Sequence, residues 1–172
     1  MYELEKTVTL VEDKLNCIRI LIRRYNLPGL IVKVNDYGVK NNNTMSDNII
    51  MNINKILLSV FNYKIYLKLL KFTSDGPILI MLLEEDPEVI KKICIDIEGK
   101  HLLGEFIDIE VYDVYLKALK RSDFGIDRRG CLICASHEHT CLEAGKHSRI
   151  EINQYIRSKY ETFIKSSYVI NQ

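Results

Sequence analysis

The sequence has no surplus of charge, no long apolar run and no basic, apolar leader, and each absence removes a class of function. Lys and Arg number 24 against 23 Asp and Glu, a formal net charge of +1. That balance gives no long-range field of the kind that draws nucleic acid or an acidic membrane surface, so neither is expected as a partner. No apolar stretch approaches the ~20 residues that span a bilayer. The opening MYELEKTVTLVEDK carries acids where a signal peptide carries a basic end and an apolar run. A cytoplasmic location is the expectation. There is also no internal repeat and no linker-like stretch.

What is there suits one packed domain over residues 1–172: 47% of residues are hydrophobic and 27% charged, ordinary values for a globular chain. Of the 5 cysteines, Cys17 and Cys94 sit among apolar residues at helical spacing and read as core. A cytosolic chain keeps its thiols reduced, so the other three raise the question of metal rather than of disulfides.

Hydrophobic period divides the chain. Thr9 to Tyr25 repeats apolar residues at helical spacing behind a Thr9/Glu12 capping box, and Pro28 and Gly29 end that helix. Residues 30–34 read as a strand. Residues 47–61 form a helix with Ser46 or Asp47 as cap, and Ile49, Ile53, Ile56, Leu57, Val60 and Phe61 on one face. Residues 63–73 and 78–83, joined by SDGP, read as a hairpin. Asp86 before Pro87 opens a helix running to about Glu98. Residues 106–114 alternate as a strand, and Ser148 with Glu151 caps a last helix. The order is helix, then β-α-β-β-α-β, then a Cys-rich loop and a final helix. An α+β domain with a mixed sheet follows, flanked by the terminal helices.

Two constellations can carry chemistry. Asp108 and Glu110 leave one face of a strand with Cα atoms roughly 6–7 Å apart. Such a pair can grip Mg2+ together with substrate phosphates, or it is the wet face of a half-exposed strand. Glu98 and His101 read equally well as residues of a helix end, and Gly104 would let a phosphate chain approach the backbone. The second constellation is Cys131, Cys134, Cys141 and His147, three thiolates and an imidazole suited to tetrahedral Zn2+. His137 or His139 can take the place of His147, and a CxxC pair also serves redox dithiols. Lys117, Lys120, Arg121, Arg128 and Arg129 gather around this segment, either as phosphate contacts or as a solvated surface.

Taken together, EGKHLLGEFIDIEV at 98–111 and RSDFGIDRRGCLICASHEHTCLEAGKHS at 121–148 resemble the CitX family, the apo-citrate lyase phosphoribosyl-dephospho-CoA transferases. The resembling positions are Glu98, His101, Gly104, Asp108, Glu110, Arg121, Asp123, Gly125, Arg129, Cys131, Cys134, Cys141 and His147. A weaker echo, NDYGVKNN at 35–42, brings in Lys40 as a phosphate contact.

The resemblance implies transfer of 5″-phosphoribosyl-3′-dephospho-CoA from its triphosphate donor, triphosphoribosyl-dephospho-CoA, to a serine of the apo acyl-carrier subunit of citrate lyase, with release of diphosphate. Asp108, Glu110 and His101 would then be catalytic, with Mg2+ at the acidic pair. Gly104, Arg121, Arg129 and Lys40 would meet the substrate. Three positions depart from the pattern: Glu110 stands where Asp is common, and Glu105 and Glu143 stand where Arg is common. Two other readings compete, a zinc-stapled module that binds a protein without catalysis, and the same chemistry on the carrier of malonate decarboxylase.

Overall fold

The structure is a computed structural model that describes residues 14–35, 43–73, 75–127, 129–134, 141 and 146–169. The elements are α1 (Lys14–Tyr25), β1 (Gly29–Val34), α2 (Asn43–Phe61), β2 (Ile65–Thr73), β3 (Gly76–Leu83), α3 (Pro87–Lys100), β4 (Ile107–Tyr112), the short β5 (Ala118–Leu119) and α4 (Arg149–Val169). The Thr9/Glu12 cap predicted for α1 lies outside the described residues. Helix α2 begins a turn earlier than predicted, so Ser46 and Asp47 lie inside it rather than at its cap.

The α+β class holds, but the mixed sheet expected from the sequence does not. The strands lie in the order β2-β3-β1-β4-β5 and every pairing is antiparallel. The reason is in the connections. β1 and β2 run parallel through α2, and β3 and β4 run parallel through α3. Each crossover skips one position, and the strand that fills the gap runs the other way. This is the split β-α-β arrangement of ferredoxin-like sheets, extended here by β5.

Alternation then sorts the side chains onto two faces. Leu30, Val32, Leu79, Met81, Ile107, Ile109 and Val111 pack against α2, α3 and Ile156 of α4. On the opposite face Ile31, Ile78, Ile80, Leu82 and Tyr112 pack against Cys17, Ile18, Leu21 and Ile22 of α1. Helix α1 can come this close because position 29 is glycine: a Cβ there would lie 2.9 Å from a Leu82 methyl and 3.1 Å from one of Ile18. Cys17 and Cys94 are both fully buried, and burial pushes the Cys94 thiol up to about 12, as the core reading of both requires.

Two predicted caps are present. The Asp86 carboxylate accepts from the amides of Glu88 and Val89 ahead of α3. At α4, Ser148 and Glu151 exchange side-chain and backbone bonds at 2.7 and 3.2 Å.

Candidate functional site

The outer edge of β4 is paired with β5 only at Val111 and Tyr112, which leaves Ile109 without a strand partner on that edge. Side chains of α3 take that place. Lys91 Nζ donates to the Ile109 carbonyl at 2.9 Å, and Glu98 Oε1 accepts from the Ile109 amide at 2.8 Å. Both side chains are buried. Burial pushes the Lys91 pKa down, and the Glu98 charge works in the other direction.

Glu98 in turn receives Arg121 at 2.5 Å, with Arg129 at 3.9 Å. Arg129 continues along the edge, donating to the carbonyls of Ile107 at 2.7 Å and Gly104 at 3.3 Å and pairing with Asp108. Two arginines from one loop therefore close a buried charge network that two residues of α3 begin.

Local geometry explains how the loop presents them. Residues Arg121–Phe124 form a 3₁₀ turn in which Asp123 accepts from the Lys120 amide at 2.9 Å. Gly125 ends the turn at φ 66°, a left-handed conformation that a side chain would strain. Gly104 likewise has a packing reason, because a Cβ there would lie 2.2 Å from the Ile97 carbonyl oxygen. The motif Arg-x-Asp-x-Gly is thus a folded turn aimed at Glu98.

On the α1 side of the sheet, Asp108 and Glu110 do share one face, as alternation requires. The β1–β4 register sets Lys33 directly beside Asp108. Lys33 Nζ pairs with Glu110 Oε1, and the Tyr112 hydroxyl donates to Glu110 Oε2 at 2.6 Å. Burial pushes the Glu110 pKa up, but hydrogen bonds from Lys33 and Tyr112 and the charges of Lys33 and Lys91 outweigh it, so the carboxyl stays below its ordinary range. Each carboxylate thus has its own cation, Arg129 for Asp108 and Lys33 for Glu110. Asp108 is half exposed, at 52% of its side chain, and a hard cation with phosphate ligands fits a carboxylate so placed.

His101 is not brought to this pair. It ends α3 on the other side of the sheet, where Nδ1 accepts from the Leu103 amide at 3.1 Å and the ring meets Phe163 of α4 edge-on at 5.8 Å. Burial pushes its pKa down, so it favours the neutral form with the proton on Nε2. Glu105 faces α4 as well, accepting from the Tyr155 hydroxyl at 3.0 Å with Lys159 Nζ at 3.7 Å. Lys40, Glu143, Arg128, His137 and His139 lie outside the described residues.

The second constellation assembles around His147. The ligand atoms of Cys131, Cys134, Cys141 and His147 all lie within 4.8 Å of one another, a donor set that can hold a metal ion. Cys134 Sγ is 3.3 Å from both Cys141 Sγ and His147 Nε2, and none of the cysteines is in a disulfide.

Sequence reasoning missed Lys33 and Lys91. A lysine inside the apolar run LIVKV is the one signal that pointed to Lys33.

Comparison with known proteins places this geometry. The chain is 32% identical over 98 residues to Protein CitXG of Leuconostoc mesenteroides subsp. cremoris, covering 56% of this chain and 21% of that protein. It is 23% identical over 158 residues to Protein CitXG of Haemophilus influenzae, covering 90% and 34%. It is 33% identical over 60 residues, covering 35% and 34%, to a probable apo-citrate lyase phosphoribosyl-dephospho-CoA transferase of Vibrio cholerae. The matched regions thus span about a third or less of each relative. The family profile CitX, described as apo-citrate lyase phosphoribosyl-dephospho-CoA transferase, matches residues 3–163. That span takes in the β4 edge, the acidic pair and the Cys/His cluster, and on it the chain belongs to the CitX family.

Proposed function

We propose that this chain transfers 5″-phosphoribosyl-3′-dephospho-CoA from its triphosphate donor to a serine of the apo acyl-carrier subunit of citrate lyase, in the cytoplasm. The family match over residues 3–163 carries this reading. In the reaction the serine oxygen attacks the phosphorus next to the ribose and the bond to the outer two phosphates breaks. Diphosphate leaves with the electron pair, the serine proton is lost to a base, and a phosphodiester remains.

The chain's part is to bind and orient a strongly anionic donor. Asp108 is paired with Arg129 and Glu110 with Lys33. Asp108 and Glu110 are the residues that would hold Mg2+, which when bound would neutralise charge on the donor's phosphates. Lys33 and Arg129, set beside these carboxylates, would meet phosphate oxygens of the donor. Arg121 stays on Glu98 and holds the loop that carries Arg129. His101 acts at a distance, by fixing the end of α3 against α4, because its accepting nitrogen is already used.

The test is diphosphate release by the purified chain with donor, Mg2+ and apo carrier. Release that requires all three is expected. No release with any carrier serine available, from a folded protein, overturns the reading.

A further inference from the structure

The proposed transfer reaction makes no use of the cysteine cluster. Its ligand atoms are nevertheless gathered as a set. Tetrahedral zinc with Zn–S bonds of about 2.3 Å and Zn–N bonds of about 2.0 Å spaces three sulfurs and one nitrogen roughly 3.5–3.8 Å apart. Here two of the separations are 3.3 Å and none exceeds 4.8 Å, so small side-chain shifts suffice to close the shell. A disulfide would need about 2.05 Å between sulfurs and would leave two of the four ligands without a purpose.

The position of the ligands matters as much as their geometry. Cys131 and Cys134 lie two and five residues after Arg129, whose guanidinium bonds the β4 edge and Asp108. His147 directly precedes Ser148, the cap of α4. Between them Cys141 is buried, and its carbonyl accepts from the Lys146 amide at 3.1 Å. A metal bound here joins the arginine-bearing loop to the start of α4. Helix α4 then reaches the core through Ile156, which is fully buried, and the segment leading into β4 through Tyr155 and Lys159 on Glu105.

We propose that Cys131, Cys134, Cys141 and His147 hold one zinc ion that fastens α4 to the loop carrying Arg129. Four protein ligands leave no open position, so the ion is structural. The proposal does not depend on the transfer reaction, and its test does not use activity.

The full chain, purified under reducing conditions without added metal, is assayed for bound zinc. The metal is then replaced by cobalt, whose visible spectrum reports tetrahedral thiolate ligation. One zinc per chain and a tetrahedral cobalt spectrum are expected, and both should be lost in Cys134→Ser. His147→Ala, which keeps the three thiolates and the better chance of folding, should bind zinc more weakly. Hydrogen exchange is compared with and without a chelator. Amides of α4 between Ile152 and Phe163 should exchange about tenfold faster or more once zinc is removed, while β1 and β3 stay protected. Absence of zinc and cobalt binding by a folded chain with all its thiols reduced overturns the site. Zinc binding with no change in α4 exchange on removal overturns its role as a fastening.

Discussion

Glu98 and Arg121 meet at 2.5 Å at the edge of β4, the glutamate only 4% exposed, and the same carboxylate accepts the Ile109 amide. A carboxylate in this position stands in for a missing strand and for a counter-ion at once.

Removing its charge should therefore be costly. Glu98→Gln leaves Lys91 and Arg121 without their anion in a buried setting, where loss of one member of a pair costs about 3–5 kcal/mol. The urea midpoint should fall accordingly. A double-mutant cycle with Arg121→Met should show coupling between the two positions, and an unchanged midpoint would mean that water reaches the network.

Lys33 should matter to donor binding more than to stability, since its side chain is one-third exposed and its partner is equally wet. In Lys33→Met the donor concentration needed for half-maximal transfer should rise about ten- to a hundredfold, as expected when a charge-assisted contact worth roughly 1.5–3 kcal/mol is lost. Thermal denaturation of the same variant should change little.

Asp108→Asn keeps the shape of the side chain and removes the charge that would face Mg2+. Transfer should nearly vanish in a protein that still folds. Normal turnover at saturating donor and Mg2+ would take Asp108 out of the mechanism.

His101 gives the fold a pH dependence of known sign. Burial holds its pKa below the ordinary 6.5, so between the lowered value and 6.5 the unfolded chain binds more protons than the folded one. Stability contributed by this group is present above 6.5 and is lost as pH falls through the lowered folded value. His101→Asn, which can still accept from the Leu103 amide, should flatten the fall in melting temperature over that window.

From sequence alone, Glu105 is a departure that weakens donor binding, and Glu105→Arg should lower the donor requirement. The structure changes the expectation. Glu105 is tied to Tyr155 and Lys159, so an arginine there faces a lysine across the α4 contact. Faster exchange in α4 is the expected result, with no gain in donor affinity.

Much of this was legible because it is local. The Asp86 and Ser148–Glu151 caps, the alternation of β4 and the burial of Cys17 and Cys94 all depend on residues within a turn or two of each other. The antiparallel sheet was not, because β3 comes to lie between β1 and β2 through tertiary packing that no short window contains. Lys33 escaped for the same reason: its partner Glu110 lies 77 residues away. Motif residues carry structural contacts that their spacing did not announce. Arg121 pairs with Glu98, Gly104 leaves room for the Ile97 carbonyl, and Asp123 accepts from the Lys120 amide. At the Cys/His cluster the spacing left three histidines open; His137 and His139 lie outside the described residues, and among those described the fold brings His147 to the three thiols.

The central claim is most directly tested by weighing the carrier. Apo acyl-carrier subunit of citrate lyase is incubated with this chain, the triphosphate donor and Mg2+, and its intact mass is measured beside that of the malonate decarboxylase carrier. The account predicts a gain on the citrate lyase carrier equal to one phosphoribosyl-dephospho-CoA group, located on a serine and absent with Asp108→Asn. An unmodified carrier in the presence of folded protein and intact donor would contradict it.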